Sequence, residues 1–183
     1  QALLPPLLRT KGATRLIVEG GTHNSKAPSY EFFAGALLPV LRRAGANVIC
    51  NLDKRGFYPA GGGRVVVDIE PCEAPRRVEI LERGARVRVE AVAEVSNLRY
   101  HIAEREREIM LRRLSLEASQ TRSASHNDSI SPGNVVRVAL EHEHMTEVFL
   151  SLGEIGKAAE KVAEEVCEMY ENYMRTDAPV GEF

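Results

Sequence analysis

Lys54-Arg55-Gly56-Phe57-Tyr58-Pro59-Ala60-Gly61-Gly62-Gly63-Arg64-Val65 joins the apolar run Val48-Ile49-Cys50 to the alternating run Val65-Val66-Val67-Asp68-Ile69. Alternation at period two puts Val65, Val67 and Ile69 on one face of a strand, with Val66, Asp68 and Glu70 on the other. Three consecutive glycines ahead of that strand carry no side chain and meet no steric bar to positive φ. Such a tract serves where backbone turns sharply or where another segment or a ligand comes close. Lys54, Arg55 and Arg64 bracket it with positive charge, so contact with a phosphate-bearing partner stands beside the plainer reading, a turn between paired strands. The stretch does not fit a P-loop, since no Gly-Lys-Ser/Thr follows. Nor does it fit G-x-G-x-x-G opening a helix, since a strand follows.

Around this stretch the chain is ordinary in bulk. Its 183 residues suffice for one sizeable core or two small ones. With 44% hydrophobic and 27% charged residues it reads as a soluble globular protein, and a formal charge of −2 argues against a globally basic nucleic-acid-coating protein. Cys50, Cys72 and Cys167 stand far apart with no C-x-x-C, which suggests reduced thiols in a cytoplasmic protein and neither a disulfide framework nor a zinc site. No apolar run approaches the roughly 18 residues that span a bilayer, and no signal peptide is visible. Gln1 opens the chain inside a helical pattern, and Gly181-Glu182-Phe183 follows a helix-terminating segment, so both ends are expected to continue in a longer protein.

Upstream of the glycine tract, a helix over Ala2 to Leu8 ends near Lys11-Gly12, and Leu16-Ile17-Val18 reads as a short buried strand. The turn-rich loop Gly20-Gly21-Thr22-His23-Asn24-Ser25-Lys26-Ala27-Pro28 leads to a helix with Pro28 in its first turn, burying Phe33, Leu37, Val40, Leu41 and Ala44. Pro39 predicts a kink in it. Strands at about 47–52 and 64–70 complete an α-β-α-β-β unit, a compact α/β arrangement. Downstream, the Pro-bearing segment 71–84 marks a boundary, with a brief strand at Val78-Glu79-Ile80-Leu81. A strand through Val87, Val89, Ala91, Ala93 and Val95, a charged helix at about 98–114 and a Ser/Asn/Asp loop over 121–134 follow. Strands Val135 to Leu140 and Val148 to Leu152 then form a hairpin. A helix at about 156–175 closes the unit, burying Ala159, Val162, Ala163, Val166, Tyr170 and Tyr173, so this half reads as β-α-β-β-α.

Chemistry is thinly marked. His23 lies where a general acid–base histidine could sit, but no carboxylate or nucleophile stands near it in sequence, so an exposed loop histidine is the plainer reading. His142 and His144 would share a strand face, half of a metal site or simply a solvated pair. Glu104-Arg105-Glu106-Arg107-Glu108 reads as a solvated helix face, and Ser131-Pro132-Gly133-Asn134 as a turn entering a strand.

Three segments together resemble the RNA 3′-terminal phosphate cyclase family. They are Arg55-Gly56-x-x-Pro59-x-Gly61-Gly62-Gly63-x-Val65, Gly20-Gly21-Thr22-x-Asn24-x-x-Ala27-Pro28 and Gly181-Glu182-Phe183. His101-Ile102-Ala103-Glu104-Arg105-Glu106 and Gly133-Asn134 resemble its bacterial branch. The resemblance implies an α/β (α+β) fold: repeated βαβαββ-type units of a large cyclase domain, with an inserted smaller thioredoxin-like βαββα domain. On it, residues 1–80 are part of the large domain, 81–176 the insertion and 177–183 the return. It implies ATP-dependent conversion of an RNA 3′-terminal phosphate to a 2′,3′-cyclic phosphodiester, helped by a divalent metal (Mg or Mn). A histidine attacks the α-phosphate of ATP and releases pyrophosphate; AMP passes to the RNA 3′-phosphate; the neighbouring 2′-hydroxyl then expels AMP.

Position by position, the resemblance assigns ATP contacts to Gln1, Pro28 and Phe183. Phe183 stands where Tyr or His is usual, which keeps stacking and loses a side-chain hydrogen bond. The catalytic histidine of the family falls beyond residue 183, so this chain alone is expected to be inactive. His23 replaces a common Asp, and Ser29-Tyr30 stand where a second proline is common. The glycine tract is read as structural, a tight connection between paired strands, with phosphate or RNA contact by Arg55 as an addition. The rivals are the non-catalytic, RNA-binding ribosome-assembly branch of the family, and a free-standing RNA-binding module.

Overall fold

The alternating run becomes the centre of a sheet. In the computed structural model, which describes residues 1–181, β3 (Gly63–Ile69) lies between β1 (Thr14–Gly20) and β2 (Val48–Lys54), antiparallel to both. Register pairs Leu16 with Val67 and Cys50 with Val67, so the expected face of Val65, Val67 and Ile69 turns inward with Leu16 and Val48. Leu4 of α1 (Leu4–Leu7) and Leu38 complete this core. The strand at 14–20 is not buried as expected: β1 is an edge, and Ile17 and Val18 are exposed.

The helix after the turn-rich loop runs as α2 (Tyr30–Phe32), a π-helical turn (Phe33–Leu37) and α3 (Leu38–Arg43). Proline at 39 has no N–H to give and its ring crowds the preceding turn, so the expected kink takes the form of this π turn. Ser29, not Pro28, caps the helix, its Oγ accepting the Phe32 N–H at 3.1 Å; Pro28 lies just outside and exposed. The residues buried in it are Ala36 and Leu38; Phe33 and Leu41 are half-buried against the core.

The second half is built on β4 (Arg86–Ser96), α4 (His101–Arg113), β5 (Thr121–His126), β6 (Gly133–His142), β7 (Thr146–Leu152) and α5 (Ala159–Met174). The sheet order is β5-β4-β6-β7, with β5 parallel to β4 and the other pairs antiparallel. This half is therefore β-α-β-β-β-α, because the segment read as a loop from 121 contains β5. Thr121-Arg122-Ser123-Ala124-Ser125-His126 has no large apolar residue, and its place rests on backbone pairing with β4. The strand expected at 78–81 does not form; the chain there is irregular and Leu81 exposed.

Helices α4 and α5 cover one face of this sheet, and all six residues expected to be buried on α5 are buried. The other face of β7 meets α2 and the π turn, where Gly35 lies against Val148. The helix over 30–43 thus sits between the two sheets. Among the described residues no helix is long and apolar enough to cross a membrane.

Candidate functional site

The loop 20–28 and the glycine tract are packed backbone to backbone. The Gly56 N–H donates to Thr22 Oγ1 at 2.9 Å, while the Thr22 and His23 N–H groups donate to the Gly56 carbonyl at 2.9 and 3.1 Å. A Cβ at Gly56 would stand 2.3 Å from the Gly20 carbonyl oxygen and 2.4 Å from the Gly63 nitrogen, so only glycine allows this approach. The tract then turns through a cis Tyr58–Pro59 bond and through Gly61 and Gly62, both at positive φ, closed by a 2.8 Å bond from Gly61 N–H to the Phe57 carbonyl. Phe57 points into the second half, against Gly133, where a Cβ would lie 2.2 Å from its ring. The bare backbone of the signature therefore serves a close fit between segments of this chain.

His23 sits behind the loop rather than on it. It is 1% exposed, Nδ1 lies 2.8 Å from Thr22 Oγ1, Nε2 lies 2.8 Å from Glu31 Oε1, and the ring stacks on Phe57 with centroids 5.0 Å apart. The expectation of an exposed histidine without a carboxylate partner is thus corrected: Glu31, in the first turn of the capped helix, supplies one. Burial works to raise the Glu31 carboxyl, but the hydrogen bond and charge of His23, aided by Arg137, outweigh it and hold the group below its usual range.

In front of the same loop lies a cavity of about 420 Å³, within the range of small-molecule sites. Leu16, Val18, Val65 and Val67 of the sheet line it, with Gln1 and Leu4 from the first turn and Glu19, Gly20, Gly21, Thr22, Pro28, Tyr30 and Phe33 from the loop and the helix after it. Gln1 and Pro28 are brought to this one cavity. Phe183 lies outside the described residues. Tyr30 is fixed by a 3.2 Å hydrogen bond from its hydroxyl to the Cys50 carbonyl. Apolar walls beside a glycine-rich loop can take a flat heterocycle and leave a polar group at the glycine-rich edge.

Arg55 faces inward. Its backbone N–H and Nη1 each stand 3.3 Å from Asp128 Oδ2, and Nη2 stands 3.5 Å from Glu94 Oε2. Glu94, buried, is also approached by His126 and Arg122. Burial tends to raise the Asp128 carboxyl, and the Arg55 N–H and charge bring it below its usual value. Arg55 thus ties the tract to β4 and the loop after β5. His142 and His144 do not pair: His142 is buried and its ring nitrogen Nδ1 has no partner, while His144 lies in the turn near the Glu82 carbonyl. Glu106 is fully buried, which corrects the reading of the whole run 104–108 as solvated. Among the described residues no three His, Cys, Asp or Glu side chains gather so as to hold a metal ion.

Comparison with known proteins gives the same answer throughout. Residues 1–178 match the family described as RNA 3′-terminal phosphate cyclase. A protein of that name from Koribacter versatilis is 39% identical over 178 residues, which are 97% of this chain and 50% of the relative. Those from Pseudomonas fluorescens and Salmonella agona are 38% and 36% identical over the whole of this chain and 53% and 52% of their own length. The chain spans about half the length of the curated relatives it matches. On this match, and on the two glycine-rich loops that it covers, the chain belongs to the RNA 3′-terminal phosphate cyclase family.

Proposed function

We propose that the protein containing this chain is an RNA-processing ligase that converts an RNA 3′-terminal phosphate to a 2′,3′-cyclic phosphodiester at the expense of ATP, and that the cavity behind Gln1 and Pro28 takes the nucleotide. The observation that carries the nucleotide reading is the meeting of Gln1 and Pro28, 27 positions apart, with Gly20-Gly21-Thr22 around one apolar cavity. In this reading the cavity walls hold the base, and the 20–22 loop stands at the polar end. The reaction needs an activated phosphorus because a phosphate monoester is a poor electrophile. A histidine beyond residue 183 accepts AMP from ATP with loss of pyrophosphate and passes it to the RNA 3′-phosphate. Attack by the adjacent 2′-hydroxyl then closes the ring and expels AMP. A divalent ion, magnesium or manganese, would neutralise phosphate charge, but the residues described here do not fit a protein-held ion.

Residues 81–176 are read as an insertion between 1–80 and the returning 177–183. This rests on the separate four-stranded sheet and on the way its two ends meet at Arg83. The protein is assigned to the cytoplasm, in keeping with three free cysteines.

Radiolabelled ATP tests the reading. The protein at its relatives' length is expected to form an acid-labile AMP adduct and to cyclise a 3′-phosphorylated oligoribonucleotide; the 183-residue chain alone is expected to form none. RNA binding with no adduct at full length would instead favour the non-catalytic branch.

A further inference from the structure

We infer that His23 and Glu31 act together as positioning residues for the nucleotide, locking the two segments that form the near rim of the cavity; the inference rests on the nucleotide reading of that cavity. One rim segment is the loop at Gly20-Gly21-Thr22, the other the start of the helix at Tyr30. The loop is held by local bonds, from Asn24 Nδ2 to the Gly21 carbonyl and from Lys26 N–H to Asn24 Oδ1, and by the bonds of Thr22 and His23 to Gly56. None of these bonds reaches the helix. The link between the segments is the imidazole, which joins Thr22 Oγ1 to Glu31 Oε1 through two 2.8 Å bonds.

Three features give that link stiffness. The ring is 1% exposed, so water does not compete for its bonds. It lies on Phe57, which is itself seated against Gly133. Thr22 is held from its other side by Gly56, so the hydroxyl that meets His23 cannot swing away without breaking the bond from the Gly56 N–H. Neither His23 nor Glu31 lines the cavity. Their effect on a bound nucleotide passes through Thr22 and Tyr30, by keeping the rim at one width before the ligand arrives.

The test uses the full-length protein with ATP and magnesium, read by calorimetry and by the ATP KM against kcat, with thermal melting alongside. Glu31→Gln keeps an acceptor for the imidazole and is expected to hold ATP within about twofold of the parent. Glu31→Ala, and the double variant His23→Ala with Glu31→Ala, remove the link. Each is expected to weaken ATP binding about tenfold, with kcat changed much less, and the double variant is expected to be no worse than Glu31→Ala. Folded Ala variants that bind ATP as the parent does would overturn the proposal, whatever their melting temperatures.

Hydrogen exchange on the unaltered protein is a check that needs no variant. ATP is expected to slow exchange at 20–24 and at the start of the helix, 30–33, together, because the imidazole joins Thr22 to Glu31; slowing in the first alone would also overturn it. A parent that takes up no ATP would remove the nucleotide reading itself, and this role with it.

Discussion

Glu106 carries a carboxyl into the core beneath α4, where it accepts the Asn134 Nδ2–H at 2.8 Å and leaves Oε1 without a partner. Burial is the largest influence and pushes the group up from 4.5 to about 8, against the Asn134 bond and the charge of Arg105. Between those two values the native state keeps a proton that the unfolded chain has released. Stability therefore falls as pH rises through this window, by at most about 1.4 kcal/mol per pH unit. Glu106→Gln keeps the acceptor and cannot titrate, so urea unfolding from pH 5 to 8 is expected to be flatter in the variant than in the parent. Parallel curves would mean that Glu106 is ionised in the fold. The residue was legible in part: Ala103, Glu106 and Met110 fall at i, i+3 and i+7, a core-facing stripe hidden by the alternating charges around it. His23 was not. Its loop has the composition of surface, and what covers it, Phe57 and Glu31, comes from 34 and 8 positions away.

Elements were legible where an apolar period runs long enough to be counted. Helix α5 and strand β3 have such a period, and their buried faces follow from it. Strand β5 lacks one, and only its partner β4 makes it a strand. The same limit hid the fastening of α5. Arg83, in the irregular segment before β4, lies over the Tyr173 ring at 3.8 Å and donates to the Tyr173, Thr176 and Ala178 carbonyls. It closes the C-terminal end of α5 and ties the incoming segment to the outgoing one. Arg83→Ala is expected to lower stability by about 1–3 kcal/mol and to speed exchange and proteolysis at 174–180 before the rest of the chain responds. Arg83→Lys should recover little, since a single ammonium cannot serve three carbonyls and stack on a ring at once. Unchanged protection at 174–180 in Arg83→Ala would show that the Tyr173 hydroxyl, bonded to the Pro179 carbonyl, suffices.

At the scale of the whole molecule, two cores of unequal size share one joint. Among the described residues the core under α4 and α5 has 16 buried apolar residues and the one on the three-stranded sheet has 6, so the smaller half is the one that depends on the joint. The joint has two parts, the helix over 30–43 against β7 and the glycine tract: Phe57 on Gly133, Gly62 under Ile130, the Ala60 N–H on Ser131 Oγ, and Arg55 on Glu94 and Asp128. Of these, Phe57 makes the apolar contact that shape alone fixes, and truncating a buried Phe costs about 3–5 kcal/mol. That loss falls on the interface and leaves the core around α5 intact. The parent is expected to melt in one calorimetric transition, and Phe57→Ala in two, the three-stranded sheet first. Exchange should rise over 14–69 while 86–174 stays protected. A single transition in Phe57→Ala would mean that the polar contacts of Arg55 and Ser131 couple the halves by themselves. In that case Arg55→Ala, which leaves the buried Glu94 and the half-buried Asp128 without their shared cation, would be the variant that splits the melt.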